Sequence, residues 1–303
     1  MKKKYRLDPR NVVDKGVKYS LLSFWWVFAL SLFVVVVWMF LSALKTDVAY
    51  FKDPLGIPLN DPSSWTFDNF RTVWNSMSMK VLVNGEMVWY TPTEMIIYSF
   101  LWSSLCPAIS VFVVATFSYV VAYYKFPGRN FLISLNIILM IVPIVGSLAA
   151  SMNLRQKLGL YDNFWGLMLI NNIQPFGFNF LLFLGLWKSI PWSYAEAAFI
   201  DGASNLQVMR RVMLPLVMPT CVALWLLGFI GSMSDYMTSI TWLPSTPMFA
   251  TGVYRFSLKA TSFGVSPNIT MAGYALLAIP CIIFFVAQRK LISEKITIGG
   301  LKG

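Results

Sequence analysis

Six long stretches of apolar residues constrain this chain more than any other feature of its sequence. A helix needs about 20 apolar residues to cross the hydrocarbon core of a bilayer, and 57% of the chain is hydrophobic while 12% is charged. Strands of a membrane barrel would alternate polar and apolar residues, and these stretches do not. The sequence therefore predicts an all-α membrane protein with six transmembrane helices. The stretches are Tyr19–Leu44, Met95–Tyr124, Phe131–Met152, Phe164–Trp187, Leu216–Leu243 and Ile269–Ala287.

The distribution of basic residues indicates which ends of these helices face the cytoplasm. With the N-terminus inside, the cytoplasmic segments hold 16 of the 24 Lys and Arg residues, and such an excess marks the cytoplasmic side of a membrane protein. Six spans return the C-terminus to the same side. We therefore expect a basic cytoplasmic lead over residues 1–18, a six-span domain over residues 19–303 and, within it, a cytoplasmic tail over residues 288–303.

The segment between the first two spans, residues 45–94, is predicted to lie outside the cell membrane. Its stretch KVLVNGEMVWY places Asn84-Gly85, a pair favoured in type I′ turns, between two runs of strand-forming residues. This pattern predicts a β-hairpin. We expect Trp89 and Tyr90 on its packed side.

Several kinds of chemistry are excluded by what the sequence lacks. The chain has no histidine, which removes His-based proton relays and most zinc sites, so we expect neither a metal site nor catalytic residues. It also lacks the G-x-x-x-x-G-K-[ST] loop, so it is not expected to bind ATP in that manner by itself. Cys106, Cys221 and Cys281 fall within predicted spans and are expected to be buried thiols.

One stretch, PWSYAEAAFIDGASNLQVMRRVMLPLVMP, differs from its apolar neighbours and predicts a helical elbow. Ser193 with Glu196 three residues later matches a capping box that would start a first helix. Gly202 would end that helix in left-handed geometry. Ser204 with Gln207 matches a second capping box and predicts a second helix directly afterwards. The alanines of the first helix would keep it thin enough to enter a groove in a partner.

The same stretch resembles the EAA motif of permease subunits of bacterial ABC importers, E-A-A-x-x-D-G-A followed after a spacer by I-x-L-P. Other stretches, among them AYYKFPGRN and KLGLYDNFWG, narrow the resemblance to the carbohydrate-uptake branch, which contains the smaller permease subunit of maltose-type transporters. The likeness covers residues 38–303. Eight positions match the motif: Glu196, Ala197, Ala198, Asp201, Gly202, Ala203, Leu214 and Pro215.

The resemblance implies a permease bundle whose cytoplasmic segment 188–215 carries a coupling helix. Such permeases assemble in the bacterial inner (cytoplasmic) membrane with a second permease subunit, here expected to be a different chain, two ABC ATPase subunits and an extracytoplasmic solute-binding protein. No cofactor is expected in this chain, because the ATPases would bind ATP and Mg²⁺. The chain would be a transport subunit, not an enzyme, and it would not bind nucleic acid. Besides the motif, four tail residues would contact the ATPases: Gly299, Gly300, Lys302 and Gly303.

Polar residues within the fourth and fifth spans are candidates for the path of a sugar substrate. A buried amide without a partner costs roughly 1–3 kcal/mol, so these residues need partners, either a substrate or neighbouring helices. An acid inside a membrane span is usually functional, and Asp235 is such an acid. The candidates are Asn171, Asn172, Gln174, Asn179, Ser234, Asp235, Tyr236 and Trp242.

The sequence departs from the family pattern in two places. The hairpin region, residues 81–94, resembles an insertion, and Met233-Ser234-Asp235 stands where the family usually has a Trp-Asn pair followed by an acid.

The main alternative function is an ion-coupled secondary transporter that uses Asp235, although this would leave the EAA stretch unexplained. A scaffold or membrane enzyme is disfavoured because no catalytic constellation is present.

Overall fold

The computed structural model describes residues 12–57, 61–83, 85–142 and 146–296. Most of the basic lead, the turn residue Asn84 and the four tail residues Gly299, Gly300, Lys302 and Gly303 lie outside these ranges. Within them the helices are α1 (Val12–Ala43), α2 (Asp47–Lys52), α3 (Asp68–Ser76), α4 (Pro92–Tyr123), α5 (Arg129–Ile141), α6 (Leu148–Lys157), α7 (Phe164–Asn172), α8 (Phe178–Ser189), α9 (Ser193–Ile200), α10 (Asn205–Val208), α11 (Leu214–Met233), α12 (Met237–Trp242), α13 (Phe249–Ser262) and α14 (Pro267–Ile296). A 3-10 turn (Pro62–Ser64), a π-helical turn (Met209–Met213) and the strands β1 (Met79–Val83) and β2 (Glu86–Tyr90) complete the elements.

Four helical segments in the described ranges are long and apolar enough to cross a membrane. They correspond to the first, second, fifth and sixth predicted spans, so the prediction of a helical membrane protein is confirmed in this coarser form. The segments are Gly16–Ala43, Pro92–Tyr123, Asn205–Met233 and Pro267–Gln288.

The other predicted spans are not continuous helices. The third span is divided between α5 and α6, because the residue before a proline avoids helical geometry and Val142, which precedes Pro143, is extended. The fourth span is divided between α7 and α8 at Gly177, whose φ is +126°. The fifth span ends at Met233 rather than Leu243.

The helices belong to two compact units. The first contains Met1–Trp74 and Lys259–Leu276, and the second contains Asn75–Leu258 and Leu277–Gly303. In the first unit the side chains of residues 16–36 in α1 are exposed throughout. A helix that is apolar on all sides and exposed is one that membrane lipid or another protein surrounds.

Lys45 lies at the centre of the polar end of the first unit and is only 1% exposed. Its Nζ donates to the carbonyl oxygens of Asp53 (2.9 Å) and Pro54 (3.1 Å). The Lys45 carbonyl oxygen accepts hydrogen bonds from Asn69 Nδ2 and Asn268 Nδ2, each at 2.7 Å. Burial lowers the pKa of Lys45, and the Asp53 carboxylate opposes that shift. These bonds hold the loop that follows α2 against the end of α1.

In the second unit α4 is the central helix, and α8 and α11 pack against it. Trp187 of α8 is fully buried, and its Nε1 donates to the Ala115 carbonyl oxygen of α4 at 3.0 Å. Tyr123 Oη, at the end of α4, donates to the Trp187 carbonyl oxygen at 2.7 Å, so α4 and α8 run parallel. Trp225 of α11 donates to the Ser104 carbonyl oxygen at 2.9 Å.

α4 and α11 approach each other closely at Gly228, because glycine has no side chain. A Cβ atom added at Gly228 would lie 2.7 Å from Pro107 Cβ, whereas one added at Gly231, a turn later, would meet no described atom within 4 Å. Overpacking a core costs typically 1–3 kcal/mol, while Gly→Ala in a helix otherwise gains roughly 0.5–1 kcal/mol. We therefore predict that Gly228→Ala lowers the thermal midpoint of the purified chain and Gly231→Ala does not. Equal midpoints for the two variants would show that this close approach is unimportant.

The predicted hairpin is present, and one detail of the prediction is wrong. β1 and β2 pair antiparallel from Met79↔Tyr90 to Val83↔Glu86, and Gly85 has φ +89°. Neighbouring side chains in a strand point to opposite faces, so Trp89 and Tyr90 cannot share the packed side. Trp89 is 59% exposed beneath Lys80 Nζ, whereas Tyr90 is half-buried and contacts the Tyr98 ring.

The cysteines also differ partly from expectation. All three are free thiols; Cys106 is buried, whereas Cys221 and Cys281 are half-buried.

Candidate coupling elbow and translocation path

The predicted first helix of the elbow is present as α9, but the Ser193–Glu196 capping box is not formed. Trp192 already has helical backbone angles (φ −63°, ψ −20°), and its carbonyl oxygen accepts the Glu196 N–H at 3.1 Å. A capping residue must be extended, and Ser193 lies inside the first turn instead. The Trp192 ring packs 4.8 Å from the Tyr123 ring of α4, so a tertiary contact fixes where this helix starts.

The end of α9 is formed as predicted. Gly202 has φ +81°, its N–H donates to the Phe199 carbonyl oxygen at 3.0 Å, and the Ala203 N–H donates to the Ala198 carbonyl oxygen at 3.0 Å. This pair of bonds is a Schellman motif. The second helix, α10, begins with the predicted capping box, in which Ser204 and Gln207 satisfy each other's backbone N–H. The elbow is therefore defined by local bonds on both sides of Gly202.

The elbow has a packed face and an exposed face. Ala195 is fully buried with Trp187 and Tyr119, and Ala198, Phe199 and Ala203 pack around the same core. These three alanines thus pack the elbow against its own bundle and do not thin it for a groove. Exposed positions are Tyr194, Glu196, Ala197, Ile200 (86%), Asp201 and Gly202, and of the later motif residues Leu214 is half-buried and Pro215 exposed. The exposed face offers apolar side chains and acidic groups to a partner.

The elbow continues into a long helical rod. Residues 205–233 form 29 consecutive helical residues, about 43 Å at 1.5 Å per residue. Its first part includes the π-helical turn Met209–Met213, where Val208 and Met213 are buried. The rod ends at Met233. Movement of the elbow would therefore be transmitted to the segment that follows Met233.

The candidate path residues gather at two interruptions of helices. The first interruption, residues 173–177, lies between α7 and α8. Asn136 of α5 is fully buried, and its Oδ1 accepts a hydrogen bond from the Gly177 N–H at 2.6 Å. This bond fixes the backbone at the interruption. Asn172 donates to its own helix at Met168 O (2.7 Å). Gln174 is exposed and Asn179 is half-buried.

The second interruption, residues 234–236, lies between α11 and α12. Asp235 Oδ1 accepts the N–H groups of Met237 (2.8 Å) and Thr238 (3.0 Å), and Oδ2 accepts the Thr238 hydroxyl. Asp235 therefore stabilises the start of α12 and lies between two helices instead of within a continuous one. Tyr236 stacks on Tyr254 of α13 with ring centroids 4.2 Å apart, and Ser234 is exposed.

The two interruptions flank the same part of α4. Phe164 of α7 packs against Trp102 (5.4 Å between centroids), and Asn172 lies beside Cys106. Ser103 Oγ approaches Met233 Sδ at 3.8 Å. Cys106 contacts Asn172 beside the first interruption, and Ser103 contacts Met233 beside the second. Residues three apart in a helix share a face, so both interruptions lie on the same side of α4. Discontinuous helices of this kind line binding sites in transporters.

Trp242 is occupied by other contacts. The Arg155 guanidinium lies 4.0 Å from the centre of its ring, and the indole packs beside the cluster that contains Trp102 and Phe164. The surrounding loop is fixed by Asp162, whose N–H donates to Trp242 O at 3.0 Å. A sugar ring could stack on this face of Trp242 only if Arg155 moved.

Three residues that contact the candidate path residues or the first interruption were not identified from the sequence. Asn136 was visible as one amide in an apolar stretch, while Tyr254 and Arg155 gave no signal that distinguishes them from other surface residues. Among the described residues, no group of three or more His, Cys, Asp or Glu side chains is placed to hold a metal ion.

The hydrogen bonds of Asp235 yield a prediction about its role. Removing a cap costs roughly 0.5–2 kcal/mol, whereas Asp and Asn are nearly equivalent caps. We predict that Asp235→Ala lowers the thermal midpoint and that Asp235→Asn retains most of both stability and transport. Abolished uptake in Asp235→Asn with an unchanged midpoint would show instead that the charge itself acts in transport.

The chain is similar to a known family and to several known proteins. Residues 113–298 match the family described as "Binding-protein-dependent transport system inner membrane component". The galactooligosaccharides transport system permease protein GanQ of Bacillus subtilis (strain 168) is 28% identical over 243 residues, 80% of this chain and 82% of its own length. The maltodextrin permease protein MdxG of the same organism is 29% identical over 248 residues, 81% of this chain and 84% of its own.

The trehalose transport system permease protein SugB of Mycobacterium tuberculosis (strain CDC 1551 / Oshkosh) is 26% identical over 289 residues, 95% of this chain and 94% of its own. These relatives are transport permeases, not enzymes, and they give no support to the ion-coupled alternative.

Solved structures share the fold. A crystal structure of a bacterial ABC transporter involved in the import of the acidic polysaccharide alginate aligns with a TM-score of 0.69 at 18% identity, covering 93% of this chain and 99% of that chain. The same kind of transporter in complex with an alginate pentasaccharide-bound periplasmic protein aligns with a TM-score of 0.55 at 16% identity, covering 92% and 98%. Because the family match spans more than half of the sequence and includes the elbow, the chain belongs to the binding-protein-dependent transport system inner membrane component family.

Proposed function

We propose that this chain is the permease subunit of an ATP-driven importer and forms half of the translocation path for a sugar or oligosaccharide. The observation that carries the proposal is the elbow: a short helix packed on its own bundle by one face and exposed on the other. Helical residues 205–233 connect it to the second interruption. A force applied at Glu196 would reach the candidate path through this rod.

The proposed partners follow from the family and from the exposed surfaces. Two ATPase subunits would receive the exposed face of α9 and the tail residues Gly299, Gly300, Lys302 and Gly303, and would bind ATP and Mg²⁺. A second permease would complete the path, and the exposed α1 is one surface available to it. An extracytoplasmic binding protein would deliver the substrate, which the family description supports.

The proposed topology has six crossings of the bacterial inner membrane with both termini in the cytoplasm. The relative direction of two helices in the second unit supports this topology. α4 and α8 run parallel, because Tyr123 and Trp187 meet near the ends of both helices. The chain must therefore return between them, and α5 with α6 is the segment that can make this crossing. The hairpin would then lie outside, where its exposed Trp89 face is available to the binding protein.

The proposed substrate class follows from the relatives and from the side chains at the two interruptions. The relatives are named for galactooligosaccharides, maltodextrin and trehalose. Amides such as Gln174 and Asn179 can donate to and accept from sugar hydroxyls. Ser234 and the Tyr236 ring offer a hydroxyl and an apolar surface on the facing interruption. Among the candidates, Asp235 would position this loop and would not contact the sugar.

The test is ATP-dependent uptake into proteoliposomes that contain the complex co-purified with this chain. The probes are radiolabelled galacto-oligosaccharides, malto-oligosaccharides and trehalose, each supplied with the binding protein encoded beside the permease. We expect uptake of at least one probe that requires internal ATP and survives an ionophore. Uptake that requires an ion gradient and not ATP would overturn the proposal, as would purification without any ATPase.

A further inference from the structure

The end of the second unit that carries the elbow also has two adjoining cavities. The first is an apolar groove of about 320 Å³ between the last turns of α4 and α10. The second, of about 290 Å³, shares Leu206 with the first and has the polar side chains of Gln207 and two arginines in its lining. We call the pair the amphiphile groove. Its apolar part is lined by Tyr119, Val120, Tyr124, Asn205, Leu206 and Met209, and its polar part by Leu206, Gln207, Arg210 and Arg211.

The apolar part of the groove has a lining suited to a hydrocarbon chain. Val120, Leu206 and Met209 supply apolar side chains. Tyr119 is only 2% exposed, and its buried hydroxyl interacts with the side chain of Tyr124, which lines the same groove. The tyrosine hydroxyl at the base of the groove is therefore paired within the chain, and what the groove offers to a ligand is apolar surface.

The polar part contains two exposed arginines. Arg210 and Arg211 are consecutive in the π-helical turn, and neither guanidinium group makes a hydrogen bond or ion pair within the part of the chain that the structure describes. Val208 and Met213 on either side are buried, which fixes the turn against the bundle and leaves the arginines at its surface. Single-turn π-helices occur frequently at functional sites. Guanidinium groups bind phosphate oxygens in bidentate geometry.

We propose that the amphiphile groove binds one anionic phospholipid of the inner leaflet. The phosphate would lie against Arg210 and Arg211, and an acyl chain would lie along Val120, Leu206 and Met209. Basic pockets on the cytoplasmic side of membrane helices bind acidic headgroups in this way. The proposal rests on the cytoplasmic orientation of the elbow given above.

Such a lipid would act on the elbow directly. α10 begins three residues after Gly202, so a molecule that joins α10 to the end of α4 fixes the position of the second arm of the elbow. The lipid would thereby favour one orientation of the rod formed by residues 205–233. Coupling would depend on the content of acidic lipid in the membrane.

The test measures lipid retention on the full-length chain by native mass spectrometry after delipidation. The probes are palmitoyl-oleoyl phosphatidylglycerol and phosphatidylcholine with the same acyl chains. We expect wild type to retain phosphatidylglycerol at least tenfold better, and Arg210→Gln/Arg211→Gln to lose that preference. The charge-matched control Lys125→Gln/Lys188→Gln, at the same end of the bundle but outside the groove, should stay within twofold of wild type. Leu206→Trp, which fills the apolar part, should lower retention of both lipids several-fold.

Four outcomes would overturn the proposal. Equal losses in the arginine pair and in the lysine control would indicate non-specific charge attraction. An unchanged Leu206→Trp would show that no acyl chain occupies the groove. Displacement of the lipid by inorganic phosphate would indicate a site for the free anion. Loss of ATPase association in the arginine variant, with lipid retention intact, would assign the arginines to a protein partner. Because the assay needs no transport, its failure is distinguishable from failure of the proposed function, and thermal midpoints in phosphatidylcholine verify that each variant is folded.

Discussion

Replacing Gly202 with proline should reduce ATP-driven uptake to background while the chain remains inserted and folded. Gly202 has φ +81°, and proline is restricted to a φ near −65°. Proline would also remove the N–H that donates to the Phe199 carbonyl oxygen at 3.0 Å. The second arm of the elbow would be redirected, and the rod formed by residues 205–233 would no longer follow movements of α9. Uptake and ATPase activity are measured in the reconstituted complex.

A graded series separates backbone geometry from side-chain volume at this position. A Cβ atom at Gly202 would meet no described atom within 4 Å, so only the left-handed backbone opposes substitution. Left-handed geometry costs an ordinary residue roughly 1–2 kcal/mol, and asparagine tolerates it better. Uptake should therefore decrease in the order Gly202→Asn, Gly202→Ala, Gly202→Pro. Proline equal to wild type would contradict the coupling role.

Charge reversal at Glu196 tests the exposed face of the same elbow. Glu196 is exposed, so Glu196→Lys should leave the thermal midpoint unchanged and release or uncouple the ATPases. Asp68→Lys, an exposed acid in α3 of the first unit, is a control for the change in charge. Unaltered ATPase association in Glu196→Lys would locate the contact elsewhere.

Replacing Trp187 with alanine should destabilise the second unit more than any other truncation considered. Trp187 is fully buried, and its Nε1 also approaches Ser118 Oγ at 3.2 Å, in addition to the bond to Ala115 O. Truncating a buried tryptophan costs typically 3–5 kcal/mol. We expect a markedly lower thermal midpoint in detergent and a poor yield of assembled complex.

Two further variants verify this assignment. Trp165→Ala removes the same ring from an exposed position (60%) in α7 and should change the midpoint little. Trp187→Phe keeps an aromatic ring but loses the N–H, and should fall between wild type and alanine. If Trp165→Ala and Trp187→Ala had equal effects, burial would not be the cause.

The correct and incorrect expectations for the elbow show where local reasoning applies. The Gly202 motif and the Ser204–Gln207 box were predicted because every bond joins residues at most five positions apart. The Ser193–Glu196 box obeyed the same rule but is not formed. Stacking of Trp192 on Tyr123, nearly seventy residues earlier in the sequence, starts the helix one residue sooner.

The interrupted spans depend on contacts between residues that are far apart in the sequence. In the fourth span the amides and the proline of NNIQPFGFNF already mark an interruption in the sequence, and α7 and α8 are separated within that stretch. The contact that holds this interruption is not local, because Asn136 lies 41 positions from Gly177. The fifth span was predicted as one unbroken stretch with Asp235 inside it, but the hydrogen bonds of Asp235 start a new helix. The break in the fourth span was therefore visible in the sequence, and the break in the fifth span was not.

The sequence by itself determined that the chain spans a membrane, that a hairpin precedes α4 and that an elbow forms at Gly202. Hydropathy, turn propensity and capping depend on neighbouring residues, so a linear pattern contains them. The tertiary structure alone decided which alanines of α9 are buried, which hairpin face is exposed and which lysine is internal. Lys45 is bonded through its carbonyl oxygen to Asn268, 223 positions away. Such contacts depend on how distant helices pack, because the free energy of burying a side chain is set by neighbours that no local pattern specifies.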